Sequence, residues 1–117
     1  MTIKKIISGA QTGADRASLD AALALDFPIG GRVPKGRKAE DGVIPDRYAG
    51  LEEIERESYE ARTRMNVLYS DATLILSHGP LHGGSKFTEV VATKHEKPVL
   101  SGSKASHHLR IVTLFRI

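Results

Sequence analysis

The chain reads as an α/β domain of three layers, a mostly parallel sheet of four to five strands with helices on both faces. Three observations predict it. Short apolar or β-branched runs alternate with segments whose apolar residues recur at three- and four-residue steps, the pattern of strands joined by helical crossovers. Residues 72–77 (ATLILS) form an apolar run without alternation, as expected of a strand covered on both faces. With 117 residues the chain has enough surface to bury for one core but not for two, so a single domain over residues 1–117 is expected.

Taken in order, residues 3–8 (IKKIIS) are short, rich in isoleucine and run into Gly9, a strand entering a tight turn. Thr12 stands three residues before Asp15, the spacing of a hydroxyl that caps a helix while the carboxylate reaches back to a backbone donor. Leu19, Ala22, Leu23 and Phe27 then place one apolar face on a helix over about 13–26. Pro28 ends it, and residues 29–33 form a short strand despite two glycines. Residues 34–57 lose periodicity and carry Pro, Gly and charge, a connection long enough to be a binding loop, with a short helical turn expected at 51–56.

Helical spacing returns at Ala61, Met65, Leu68 and Tyr69, with Ser58 as the cap. The run at 72–77 is expected at the centre of the sheet. Phe87, Val90 and Val91 mark a further helix, with Lys94, His95 and Lys97 near the end where positive charge suits the helix dipole. Pro98 stops it, residues 99–101 begin a strand and residues 111–117 supply the last one. Strands alternating with helices in this way make the arrangement Rossmann-like, with right-handed crossovers.

Composition excludes several classes. Seventeen Lys and Arg against fourteen Asp and Glu leave a charge of +3, too diffuse for a dedicated nucleic-acid binder, so no specific nucleic-acid partner is expected. The absence of Cys removes disulfides, thiol nucleophiles and thiolate metal sites, which makes the cytoplasm the expected location. Lys4 and Lys5 precede only two isoleucines, far short of a signal-peptide core, and no run approaches a membrane span.

In a parallel sheet the ligand crevice lies beyond the C-terminal ends of the strands, so the loops that follow strands are the candidate sites. Two are rich in glycine. The first, Gly9-Ala10-Gln11-Thr12-Gly13-Ala14-Asp15-Arg16, would aim backbone donors at an anion, although it lacks both the GxGxxG and the Walker A pattern and reads equally as a tight turn with Thr12 as cap. The second, Gly79-Pro80-Leu81-His82-Gly83-Gly84-Ser85-Lys86, spaces its glycines like a P-loop but reverses the Lys-Ser order, which disfavours triphosphate hydrolysis and leaves Ser85 readable as a plain cap.

Magnitudes say how such loops must work. A helix start contributes about 0.3–1 kcal/mol to an exposed anion and about 2 when partly buried, whereas micromolar affinity needs about 8 kcal/mol. Two loops facing one crevice, with charge-assisted bonds of about 1.5–3 kcal/mol each, reach that figure. Arg32, Lys35, Arg37 and Lys38 in the long loop are placed to supply those bonds, or form a solvated cluster.

The remaining polar residues are less telling. His78 and His82 are separated by Gly79 and Pro80, which break the helix that four-residue spacing needs, so no metal site is expected. His107 and His108 suggest nothing sharper. Asp15, Asp41 and Glu89 have the chemistry of acids or bases, but no nucleophile and base pair is recognisable by spacing, and no catalytic residue is assigned.

Four stretches in order, ISGAQTGADRASLDAALAL, GGRVPKGRKAEDGVIPDRY, YEARTRMNVLYSDATLIL and GPLHGGSKFTEVVA, closely resemble the family known as "putative molybdenum carrier" proteins. That family is similar to a larger Rossmann-like group that includes cytokinin-activating phosphoribohydrolases and the DNA-processing protein DprA. The resemblance covers about residues 3–100. It implies a compact α/β domain that binds a phosphate-bearing pterin or nucleotide-like ligand, with the molybdenum cofactor, molybdopterin, as the ligand the name suggests.

Carried over by position, the family's first loop falls on Gly9, Gln11, Thr12, Gly13, Asp15 and Arg16. Its basic loop falls on Pro34, Lys35, Gly36, Arg37 and Glu40-Asp41-Gly42, its Arg-Thr-x-x-Asn run on Arg62, Thr63 and Asn66, and its second loop on Gly83, Gly84, Thr88 and Glu89. Two departures stand out. The hydrolase signature Gly-Gly-x-Gly-Thr-x-x-Glu is replaced by Gly83-Gly84-Ser85-Lys86-Phe87-Thr88-Glu89, and the tail beyond Leu100 does not match the family.

The expectation is therefore a non-catalytic carrier that holds a small anionic ligand across both glycine loops, with Ser85 beside Gly84 and with Lys35 and Arg37 closing over the phosphate. The alternative is a phosphoribohydrolase-like enzyme using Glu89, with Arg16 on the phosphate. A homo-oligomer is expected as well, because an apolar last strand is a liability at an open sheet edge.

Overall fold

The computed structural model describes residues 3–55, 58–77, 80–81, 83–103 and 111–116. The main sheet has six strands, β1 (Lys5–Ile7), β2 (Ile29–Val33), β5 (Leu51–Glu53), β6 (Ala72–Ser77), β7 (Val99–Ser103) and β8 (Ile111–Arg116). Two short strands, β3 (Lys38–Ala39) and β4 (Gly42–Val43), form a separate antiparallel hairpin inside the long loop, after a turn of 3-10 helix at Lys35–Arg37. Three helices, α1 (Ala14–Ala24), α2 (Tyr59–Tyr69) and α3 (Gly83–Lys94), complete the described elements.

Strand order across the sheet is β5-β2-β1-β8-β6-β7. Pairings β1–β2, β2–β5 and β6–β7 are parallel, while β8 pairs antiparallel with both β1 and β6. Five strands thus run one way and β8 alone runs against them, so the expected mostly parallel Rossmann-like sheet is present with one strand more than expected. The last strand lies inside the sheet and not at its edge, which removes the premise on which self-association was expected. With β8 on one side and β7 on the other, β6 is internal but one place short of the edge.

The layers follow from side-chain alternation, since neighbouring residues of a strand face opposite sides. Ile7 packs with Val67 of α2 and with Val91 and Ala92 of α3. Ile6 instead lines a groove with Ala14, Ala17 and Ala21 of α1. Helix α1 therefore covers one face and the packed pair α2 and α3 the other. A second core cluster of Ala10, Leu19, Val33, Ala39, Ile44 and Tyr48 lies on the α1 side and anchors the long loop.

Some local expectations change. Residues 51–53 form an edge strand and not a helical turn, because Leu51, Glu52 and Glu53 find backbone partners in Gly31, Arg32 and Val33. Helix α2 starts where expected, with the Ser58 hydroxyl accepting the Ala61 N–H at 3.2 Å, but it buries Thr63, Asn66 and Val67 while Met65 and Leu68 stay exposed. Asn66 explains the rotation: its amide accepts the Arg32 N–H at 2.7 Å and donates to the Arg32 carbonyl at 2.9 Å, copying a strand partner and fixing α2 on β2. The Lys97 ammonium caps α2 and not its own helix, donating to the Leu68 and Ser70 carbonyls at 2.8 Å each.

Candidate functional site

Strand order turns about between β1, which leads to β2 and β5, and β6, which leads to β7, the place where open α/β sheets form a crevice. A cavity of about 310 Å³ lies there. Gly9, Gln11, Thr12, Ala14 and Asp15 line it from the first glycine loop, Arg62, Thr63 and Asn66 from α2, and Gly84, Ser85 and Thr88 from the start of α3. The first glycine loop and the start of α3, some seventy positions apart in the chain, thus face one space that Arg62 also lines.

Helix α1 begins at Gly13, whose φ of 81° is in the left-handed region, and no side chain caps it. The expected Thr12 cap is corrected: the Thr12 hydroxyl donates to Glu40 at 3.3 Å, away from the helix. Asp15 performs the other half of that expectation, its Oδ2 accepting the Gln11 N–H at 3.2 Å. In the first turn of α1 the Arg16 N–H already donates to the Gln11 carbonyl at 3.2 Å and the Ala17 N–H to the Gly13 carbonyl at 3.0 Å, and a helix start leaves its earlier amides without an intrahelical partner. Thr88 sits at the cavity with its hydroxyl donating to the Gly84 carbonyl at 2.9 Å, which steadies the first turn of α3.

Among the described residues Arg62 is the one cation on the lining. Its Nη1 stands 3.7 Å from Asp15 Oδ2, and both side chains are largely buried. Burial lowers the Arg62 pKa from its ordinary value even though Asp15 opposes that. Burial likewise raises the Asp15 carboxyl above the usual carboxylate range, against the pull of Arg62 and of the Gln11 N–H. Arg62 lies against Gly9, where a Cβ would overlap its guanidinium, so the glycine is there for close approach and not for a turn alone.

Two buried polar atoms on this lining have no partner, Arg62 Nε and Gln11 Oε1. The Gln11 amide is oriented by its Nε2, which donates to the Lys38 carbonyl at 3.0 Å.

Several expected site residues lie elsewhere. Arg16 holds the long loop: its Nε donates to the Ala10 carbonyl at 3.0 Å and its two terminal nitrogens meet the Asp41 carboxylate at 2.6 and 2.8 Å. Arg37 does not close over the cavity, because its guanidinium donates to the Ile44, Pro45 and Tyr48 carbonyls at 2.9–3.3 Å. Lys35 is exposed on the 3-10 turn and is not on the lining. Glu89 bonds Lys86 at 2.8 Å and is not among the described residues that line the cavity.

Gly13 and Gly83 flank the lining without joining it, and Asn66 reaches it while its amide is tied to β2. Arg62 and Thr63 were visible in the Arg-Thr-x-x-Asn run but not as binding residues, because a pattern search for apolar spacing looks past the polar face of a helix. His78, Gly79, His82, His107 and His108 lie outside the described residues. Among the described residues no cluster of three His, Asp or Glu could hold a metal ion, and no helix is long and apolar enough to cross a membrane.

A crevice at the turning point of a Rossmann-like sheet, walled by residues 9–15 and the start of α3, defines the class of the domain. The chain belongs to the circularly permutated YpsA SLOG family, whose model matches residues 6–112. It is similar to a protein of known crystal structure from Syntrophus aciditrophicus SB, named "Putative molybdenum carrier protein", at 54% identity and a TM-score of 0.83. The similarity covers 86% of this chain and 63% of that one, so the chain spans less than two thirds of that relative's length. No curated protein matches it. Family and neighbour agree with the resemblance carried by the motifs.

Proposed function

We propose that this domain is a carrier that holds a small anionic ligand bearing a phosphate group, of the molybdenum cofactor class, in the crevice between the first turns of α1 and α3. The observation that carries this reading is that the first glycine loop, the first turns of α3 and Arg62 line one cavity. Its donors suit an oxyanion: helix-start amides, and a buried Arg62 Nε without an acceptor. Its volume is at the low end for ligand pockets, which suits a phosphate head with the rest of the ligand over the open mouth.

No thiolate is available in a chain without Cys, so the metal would be held by the organic part of the ligand, and the protein's residues would bind the phosphate and exclude water from it. The name of the Syntrophus relative supports a molybdenum-related cargo. Isothermal titration of the purified chain with molybdopterin and with mononucleotides tests the reading. Saturable binding that Arg62→Ala weakens at least tenfold is expected, and no binding at millimolar ligand overturns it.

A further inference from the structure

We propose that the anion this cavity selects is a terminal phosphate monoester that brings one proton with it, and that Asp15 is the residue that makes the selection. This rests on the reading of the cavity as an anion site and narrows it. The cavity offers acceptors as well as donors. Arg62 Nε is an unpartnered buried donor, but Gln11 Oε1 is an unpartnered buried acceptor, and the Gln11 bond to the Lys38 carbonyl makes Oε1 the free end. The Asp15 carboxylate is a second acceptor on the same lining. It stands 3.7 Å from Arg62 Nη1, beyond hydrogen-bond length, and takes the Gln11 N–H at 3.2 Å.

A fully ionised tetrahedral oxyanion has acceptors only. In this space it would leave Gln11 Oε1 unpaired and face Asp15 with like charge. An oxyanion carrying one O–H donates to either acceptor while its other oxygens take Arg62 and the helix-start amides. A phosphate monoester has a second pKa of about 6, so it brings such a proton near neutral pH. A phosphodiester, including the internal phosphates of a dinucleotide, and sulfate have none to bring. The proton stays on the ligand oxygen and is shared by hydrogen bond with the Asp15 carboxylate or Gln11 Oε1; no bond is made or broken.

The charges around Asp15 leave this balance in place. From α2 it faces Arg62, with Tyr59 acting on that guanidinium. On α1 itself Arg16 is turned onto Asp41 of the hairpin loop, and from the same loop Glu40 bonds Thr12. On α3 Lys86 and Glu89 pair with each other. Burial makes the Asp15 carboxylate a more basic acceptor for the ligand's hydrogen, its carboxyl held above the usual carboxylate range.

Isothermal titration of the 117-residue chain with methyl phosphate, dimethyl phosphate and sulfate tests the proposal. Methyl phosphate is expected to bind about a hundredfold or more tighter than the other two, as a like-charge contact at this range implies. Its affinity should fall about tenfold per pH unit above pH ~6, with one proton taken up per anion relative to the dianion. Asp15→Asn should admit sulfate and flatten the pH dependence. If the wild-type chain binds all three alike, or a folded Asp15→Asn still excludes sulfate, the selection by Asp15 is wrong while the anion site stands. If none of the three binds, the anion site itself is wrong. The wild-type series decides the matter even if Asp15→Asn does not fold.

Discussion

At the scale of single residues, two glycines do different work. A Cβ at Gly31 would overlap the Ser8 carbonyl oxygen, a backbone atom that cannot move without β1, and its φ of 140° already excludes most side chains. Gly31→Ala should therefore cost about 2–4 kcal/mol, read as a lower denaturation midpoint. A Cβ at Gly9 would meet the end of a flexible side chain, Arg62. Gly9→Ala should leave most of the stability in place while displacing the guanidinium, so anion affinity falls at least tenfold and the melting temperature moves by only a few degrees.

Asp15 adds a pH dependence with a definite sign. Its folded pKa is raised by burial, so between the unfolded value of about 3.9 and the folded value the native chain holds a proton that the unfolded chain has released. The stability it contributes is complete below that window and is lost as pH rises through the folded value. Urea denaturation of wild type and Asp15→Asn across mildly acidic pH should show this slope in the wild type alone.

Among the elements, the long loop between β2 and β5 owes its shape to guanidinium groups that sequence reading assigned to the ligand. Arg37 binds three carbonyls and Arg16 joins Ala10 to Asp41. Arg37→Ala leaves those carbonyls without a charged donor and should cost about 2–4 kcal/mol. Hydrogen exchange should quicken over residues 38–48 before it changes in β1 or β6.

A basic cluster in a loop looks the same in one dimension whether it awaits a phosphate or holds backbone carbonyls. What tells the two apart is the position of those carbonyls. The buried face of α2 departs from its apolar spacing for a related reason: Asn66 carries no apolar signal, yet its paired bonds to Arg32 outrank Met65 and Leu68 in setting how the helix sits.

For the whole molecule, β8 joins two halves that share no strand pairing among the described residues. β5, β2 and β1 lie on one side of it and β6 and β7 on the other. Deletion of residues 104–117 should therefore expose two inner strand edges and abolish cooperative unfolding, and a melt that stays cooperative and two-state after the deletion would show that the halves hold together without it.

Local pattern alone settled the alternation of strands and helices, the Ser58 cap, the breaks at Pro28 and Pro98 and the first glycine loop, because each depends on near neighbours in the chain. The order of strands, the inward place of β8, the closeness of Thr12 to Gly84 and the partners of Arg16, Arg37 and Arg62 were decided only by the folded structure. They are contacts between residues far apart in sequence, and nothing in a residue's type records which distant carbonyl or carboxylate will reach it.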